Sequence, residues 1–221
     1  MPKPSTSAAM LMQINPTSPI SEAYRSLRFN VECLGLDQEV KTITITSASQ
    51  GEGKTTTAIN LAVAYAQNGK RVILLDADLR NPSIHLAFGR DNSKGLTSYL
   101  INQSSKSEII SDSHIDNLSV IMSGPTPPNP SELLSSKAMN SLLAQLKQDY
   151  DLVIIDSSSV LTLTDAKIMA AQCDGVLLVV RYGKVKRHTA KKVKEELILA
   201  KARLMGVVMN RMNNQDTEAY F

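Results

Sequence analysis

An alternating β-branched run, Thr42-Ile43-Thr44-Ile45-Thr46, leads into Ser47-Ala48-Ser49-Gln50-Gly51-Glu52-Gly53-Lys54-Thr55, and a helix-forming stretch to Asn68 follows at once. Strand, glycine-bearing loop and helix in this order constrain the chain more than anything else in it. Backbone N–H groups around Gly51 and Gly53 can wrap a phosphate at the positive end of the helix. Lys54 reaches the terminal phosphates and the Thr55 hydroxyl suits Mg²⁺. The expected ligands are therefore ATP and Mg²⁺, held by Gln50, Gly51, Glu52, Gly53, Lys54, Thr55 and Thr56. The strict pattern places Gly where Ala48 stands, so this is a variant phosphate loop.

Two further strands end in acid. The apolar run Val72–Leu75 terminates in Asp76-Ala77-Asp78, and Leu152–Ile155 terminates in Asp156. Parallel strands joined by one helix end at the same edge of a sheet, so all three carboxylates are expected to face the nucleotide. Thr55, Asp78 and Asp156 form the expected Mg²⁺ set. Lys54, Asp76 and Asp78 form the expected catalytic set, with Asp76 the preferred base, although spacing alone does not divide roles between the two acids. A spacing of two puts both on one side if the strand continues.

Strand patterns recur at Leu118–Met122, Val176–Val180 and Val207–Met209, alternating with helical patterns at 138–148, 165–172 and 185–202. The expected fold is α/β, a three-layer, doubly wound, mostly parallel sheet of the P-loop NTPase type. Residues 1–17, with Pro2, Pro4 and Pro16, read as a flexible arm. Ser18-Pro19 starts a helix over 18–36, residues 18–212 form the one domain, and 213–221 is a short tail. A chain of 221 residues suits that organisation. Its net charge of +3 is too diffuse for a dedicated nucleic-acid binder, so no nucleic acid is expected. Two distant cysteines and three scattered histidines suggest a reducing compartment and no metal-ligand cluster. No apolar run approaches the roughly 20 residues that span a bilayer.

The paired acids after the second strand and the Gly-Glu-Gly-Lys-Thr-Thr-Thr loop resemble the deviant-P-loop ATPases. Partitioning members carry an early loop lysine where this chain has Ser49. A closer resemblance, over Pro19 to Arg211, is to the bacterial tyrosine kinases of capsule and exopolysaccharide synthesis. It is carried by Ser18-Pro19-Ile20-Ser21-Glu22-Ala23-Tyr24-Arg25, Asp76-Ala77-Asp78-Leu79-Arg80-Asn81-Pro82, Ser123–Leu134 with its Pro-Pro-Asn-Pro-Ser-Glu-Leu-Leu run, and Asp174–Val180. The resemblance implies an ATP-dependent protein-tyrosine kinase and a ring-forming Glu-x-x-Arg-x-x-Arg helix, matched by Glu22, Arg25 and Arg28. It also implies phosphorylation of tail tyrosines by a neighbouring subunit, for which Tyr220 is the one tail tyrosine. A membrane adaptor is the implied partner, recruiting a cytoplasmic chain to the inner face of the plasma membrane. Asn210-Arg211 resembles the place where related ATPases read adenine. The chain departs from the family in Ser157-Ser158-Ser159, where members carry Thr-Pro-Pro or a near variant. Two other readings stay open on the sequence: an ATPase switch whose basic run Lys184–Lys194 contacts DNA or membrane, and a catalytically weak scaffold of the same fold.

Overall fold

The computed structural model describes residues 10–36 and 38–212. Its centre is a seven-stranded sheet of order β3-β4-β2-β5-β1-β6-β7. The strands are β1 (Thr42–Ser47), β2 (Val72–Asp76), β3 (Ile110–Ile115), β4 (Leu118–Ile121), β5 (Leu152–Ser159), β6 (Gly175–Arg181) and β7 (Leu204–Asn210). All pair in parallel except β3, which runs antiparallel to β4. β1, β2 and β5 are buried along their whole length, as expected of parallel strands covered on both faces.

One face of the sheet is covered by α1 (Leu11–Ile14), α2 (Pro19–Leu34) and α3 (Lys54–Gln67). The other carries α8 (Lys137–Asp149), α9 (Thr164–Gln172) and α10 (Arg187–Leu199). Four short helices lie in the connections: α4 (Ile84–Ala87), α5 (Leu96–Leu100), α6 (Lys106–Ile109) and α7 (Pro130–Leu134). The helix after the phosphate loop is apolar nearly all round, Ala58 to Ala66 being buried without a break, because α1 and α2 cover the side that the sheet does not.

One expectation changes. The arm expected over 1–17 gives way before Thr17: Leu11–Ile14 is helical, Met12 is fully buried, and its N–H donates to Asn60 Oδ1 at 2.9 Å. A free methionine that finds an apolar slot and a buried amide acceptor gains more than chain entropy opposes. Along α2, Tyr24 and Val31 are buried whereas Ile20 and Leu34 are exposed. The third strand from the amino terminus, β3, lacked an apolar run in the sequence because it is a half-exposed edge. The α2 start is as expected: Pro19 is its first residue and Ser18 caps it, accepting from Ser21 N–H at 3.2 Å.

Candidate active site

The phosphate loop joins β1 to α3 at the carboxyl edge of the sheet. Gly51 (φ +81°) and Gly53 (φ +103°) both take the left-handed conformation that lets successive N–H groups turn inward. Glu52 folds back beneath the loop, and its Oε2 accepts the Ala48 N–H at 3.1 Å. Burial raises the Glu52 carboxyl, while N–H groups of Ser49 and Ala48 and the Lys54 charge oppose the rise. Gln50 and Gly51 form the exposed crest of the loop, and Thr56 is half-buried on the first turn of α3.

Lys54 is buried and opens α3. Beside it Thr55 Oγ1 donates to Asp156 Oδ2 at 2.5 Å and accepts from Ser83 Oγ at 3.2 Å. Asp156 Oδ1 is buried with no hydrogen-bond partner among the described residues. A desolvated carboxylate oxygen costs free energy unless something cationic or hydrogen-bonding meets it. Burial, chiefly, raises the Asp156 carboxyl to about 7, with Lys54 and Thr55 pulling the other way.

Asp76 lies directly opposite Asp156 in the β2–β5 register. The strand stops there, contrary to the continuation that would have put Asp76 and Asp78 on one side. The chain instead turns around Asp76: Oδ1 accepts from Asp78 N–H at 3.2 Å, and Oδ2 accepts from Ser83 and Ile84 N–H at 3.1 Å each. Asp76 is wholly enclosed, and burial together with the Asp156 charge holds its carboxyl well above the usual range. Asp78 is slightly open, and its Oδ1 accepts the Asn81 N–H at 3.2 Å.

Among the described residues no three His, Cys, Asp or Glu side chains converge tightly enough to cage a metal ion. The Asp156 carboxylate with the Thr55 hydroxyl fits Mg²⁺, which takes one or two carboxylates and completes its shell with waters and substrate phosphates. The orphaned Asp156 oxygen and the Thr55 hydroxyl are where such an ion would be held.

Asn210 sits at the end of β7, two strands from the loop, yet its Nδ2 donates to the Glu52 carbonyl at 2.9 Å and its Oδ1 accepts the Arg211 N–H at 2.9 Å. The expected adenine-reading amide thus grips the phosphate loop itself, and Arg211 is exposed beyond it. Two features carried no readable signal. Ser83 joins Thr55 to the Asp76 turn. Arg80 pairs with Asp165 of α9 at 2.7 Å, and Ser131 of α7 donates to the same carboxylate at 2.5 Å. Burial alone raises Asp165, but the bonds from Arg80 and Ser131 overcome it and hold the group below its ordinary value. Both arginine and serine lie in family-like stretches; what joins them is an aspartate distant in sequence. The Ser157–Ser159 departure forms a bulge against β1, in which Ser157 Oγ donates to the Ile45 carbonyl at 3.1 Å and Thr46 Oγ1 to the Ser158 carbonyl at 2.7 Å.

Glu22, Arg25 and Arg28 lie along α2. Arg25 pairs with Glu22 at 2.9 Å and donates to the Pro16 carbonyl at 2.6 Å, while Arg28 pairs with Glu32 at 3.0 Å. Tyr220 lies outside the described residues. Within them no helix is long and apolar enough to cross a membrane.

An AAA domain family model matches residues 40–205. Tyrosine-protein kinase YwqD of Bacillus subtilis is 46% identical over 91% of this chain and 85% of its own length. The chimerical protein CapA2B2 superposes with a TM-score of 0.90 at 41% identity, over 94% of this chain and 91% of that one. The kinase domain of Escherichia coli tyrosine kinase ETK does so with a TM-score of 0.87 at 32% identity, over 93% and 82%.

Proposed function

This chain belongs to the family of bacterial tyrosine-protein kinases, and on that premise we propose that it transfers the γ-phosphoryl group of Mg·ATP to protein tyrosines in the control of capsular or exopolysaccharide synthesis. The observation that carries the reading is the buried, unpartnered Asp156 oxygen beside the Thr55 hydroxyl and Lys54.

Loop N–H groups and Lys54 bind the phosphates, and Thr55, Asp78 and Asp156 hold Mg²⁺. The ion, when bound, neutralises charge on the phosphoryl group in transit. A tyrosine hydroxyl, with a reference value near 10, is protonated at neutral pH, so a carboxylate must take its proton as the phosphoryl group arrives. Asp76 is the proposed base: it stands opposite Asp156 in the β2–β5 register and takes the proton in its ionised form, which a cation bound beside it would favour. The complete enclosure of Asp76 favours a second division of labour, in which Asp78 takes the proton and Asp76 organises the turn from 76 to 84. Asp76→Asn separates the two: transfer lost with ATP affinity intact marks a base, and loss of both marks an organiser.

The proposed assembly is a ring in which Glu22, Arg25 and Arg28 exchange their partners on α2 for those of a neighbour. A membrane adaptor brings the chain to the inner face of the plasma membrane, and Tyr220 is the proposed phosphoacceptor. The test is incubation of the full chain with γ-labelled Mg·ATP, with and without an adaptor tail peptide, beside Lys54→Met and Tyr220→Phe variants. Label on tyrosine that disappears with Lys54→Met supports the kinase, and its loss in Tyr220→Phe locates the acceptor. Free phosphate with no labelled tyrosine would leave an ATPase switch in its place.

A further inference from the structure

The cations on the β6–β7 side of the phosphate loop are placed against local electrostatics. β6 runs past the end of β1: Ser47 pairs with Val179, and Arg181 pairs with Asn210, whose amide grips the loop. The chain then rises through exposed Lys184 to Lys186 and Arg187, both exposed, at the start of α10. Lys186 is the N-cap, it makes no side-chain capping bond, and the first turn holds no acid. Cations at the positive end of a helix are unfavourable, and the nearest acids on that helix, Glu195 and Glu196, are paired with Lys191 and Lys167 instead. Among the described residues no acid lies within ion-pair distance of Lys184, Lys186 or Arg187. Local rules broken without an internal compensation mark positions kept for an external one.

The sequence supplies a matching anion. After Met212 come Asn213-Asn214-Gln215-Asp216-Thr217-Glu218-Ala219-Tyr220-Phe221, with two carboxylates ahead of the tyrosine and no Lys or Arg. In an extended segment Asp216 and Glu218 lie on the same side and at most about 14 Å from Tyr220. A tyrosine entering the carboxyl edge of the sheet can therefore trail its acids across the cationic side of the site.

We propose that Lys184, Lys186 and Arg187 form a docking surface that selects acceptor tyrosines preceded by carboxylates, its occupant being the Asp216–Tyr220 segment of a second copy of this chain. The inference rests on the kinase reading and adds to it the class of acceptor. It differs from a nucleic-acid or lipid contact in requiring side-chain carboxylates at a fixed distance before the tyrosine.

The experiment uses the full-length Tyr220→Phe chain, so that only added peptide accepts phosphate. The probes are a fluorescent peptide of residues 213–221 and its Asp216→Asn/Glu218→Gln twin. Peptide Kd is read by anisotropy with Mg·ADP, and kcat and KM are read with Mg·ATP. The amide twin is expected to raise Kd and KM about fivefold at unchanged kcat, the scale of two exposed charge pairs. Lys184→Ala/Lys186→Ala/Arg187→Ala should bring the acidic peptide to the twin's constants, leaving the twin, the KM for ATP and the melting temperature as they were. Equal constants for both peptides on the unmutated chain overturn the inference, as does a triple variant that weakens both alike. It is also overturned if the triple variant loses binding to duplex DNA or phosphatidylserine vesicles while peptide constants stay fixed. Phosphorylation that ignores the acids sinks the docking surface alone. Charge-dependent binding with no peptide ever phosphorylated sinks the kinase reading alone.

Discussion

At Gly53 two demands fall on one residue. Its φ of +103° excludes most side chains, and a Cβ there would stand 1.9 Å from Asn210 Nδ2. Gly53→Ala should therefore abolish nucleotide binding, measured by equilibrium dialysis of labelled ATP. Adding Asn210→Gly removes the collision and leaves the conformational cost of about 1–2 kcal/mol, so the double variant should fold normally and still bind ATP weakly. Asn210→Ala alone loses one hydrogen bond to the loop carbonyl, worth about 1 kcal/mol, and should raise the Kd for ATP about fivefold with little change in melting temperature. Lys54, Thr55 and Asp156 were legible in the sequence because each stands where a strand or loop hands over to the next element. The grip of Asn210 was not legible, since it needs β7 to arrive beside β6 and reach back across to the loop.

Elements defined by their own β-branched or apolar run, β1, β2, β4, β5 and β6, were readable; β3, defined by what it pairs with, was not. β3 reads Ile-Ser-Asp-Ser-His-Ile and becomes a strand only because β4 offers it an edge. The bolt between β1 and the start of β6 was equally hidden. Asp174 Oδ2 accepts from the Lys41 and Thr42 N–H groups and from Thr42 Oγ1, each at 2.9 Å, while Oδ1 pairs with Lys147 at 2.8 Å. Asp174→Ala would strand those donors and should cost about 2–4 kcal/mol in urea unfolding without altering the residues around the nucleotide. A Cβ on Gly175 beside it would meet Met205 Sδ at 2.1 Å, so a side chain there has to displace the methionine. Met12→Ala should cost about 2–4 kcal/mol, since the fully buried thioether leaves a cavity over α3.

Over the whole molecule the facing carboxyls Asp76 and Asp156 set a dependence on pH. Both have folded values above their unfolded ones, so the folded state holds the extra protons. The contribution of Asp156 to stability is complete below the ordinary carboxylate range near about pH 4 and is lost as pH rises through about 7, and that of Asp76 is lost in the same direction. The melting temperature of the protein without added metal should fall across that interval, and Asp156→Asn should flatten the fall. Mg·ATP, which favours ionised carboxylates, should restore more stability at the upper end than at the lower. The connection between Met12 and Asn60 has a mechanical side. Asn60 lies midway along the helix that begins with Lys54, so tension applied ahead of Met12 is delivered to that helix without passing through the sheet. What yields first is one N–H bond together with the packing of Met10, Leu11 and Met12 on the core, so residues 10–14 act as a tether that parts before the strands are loaded.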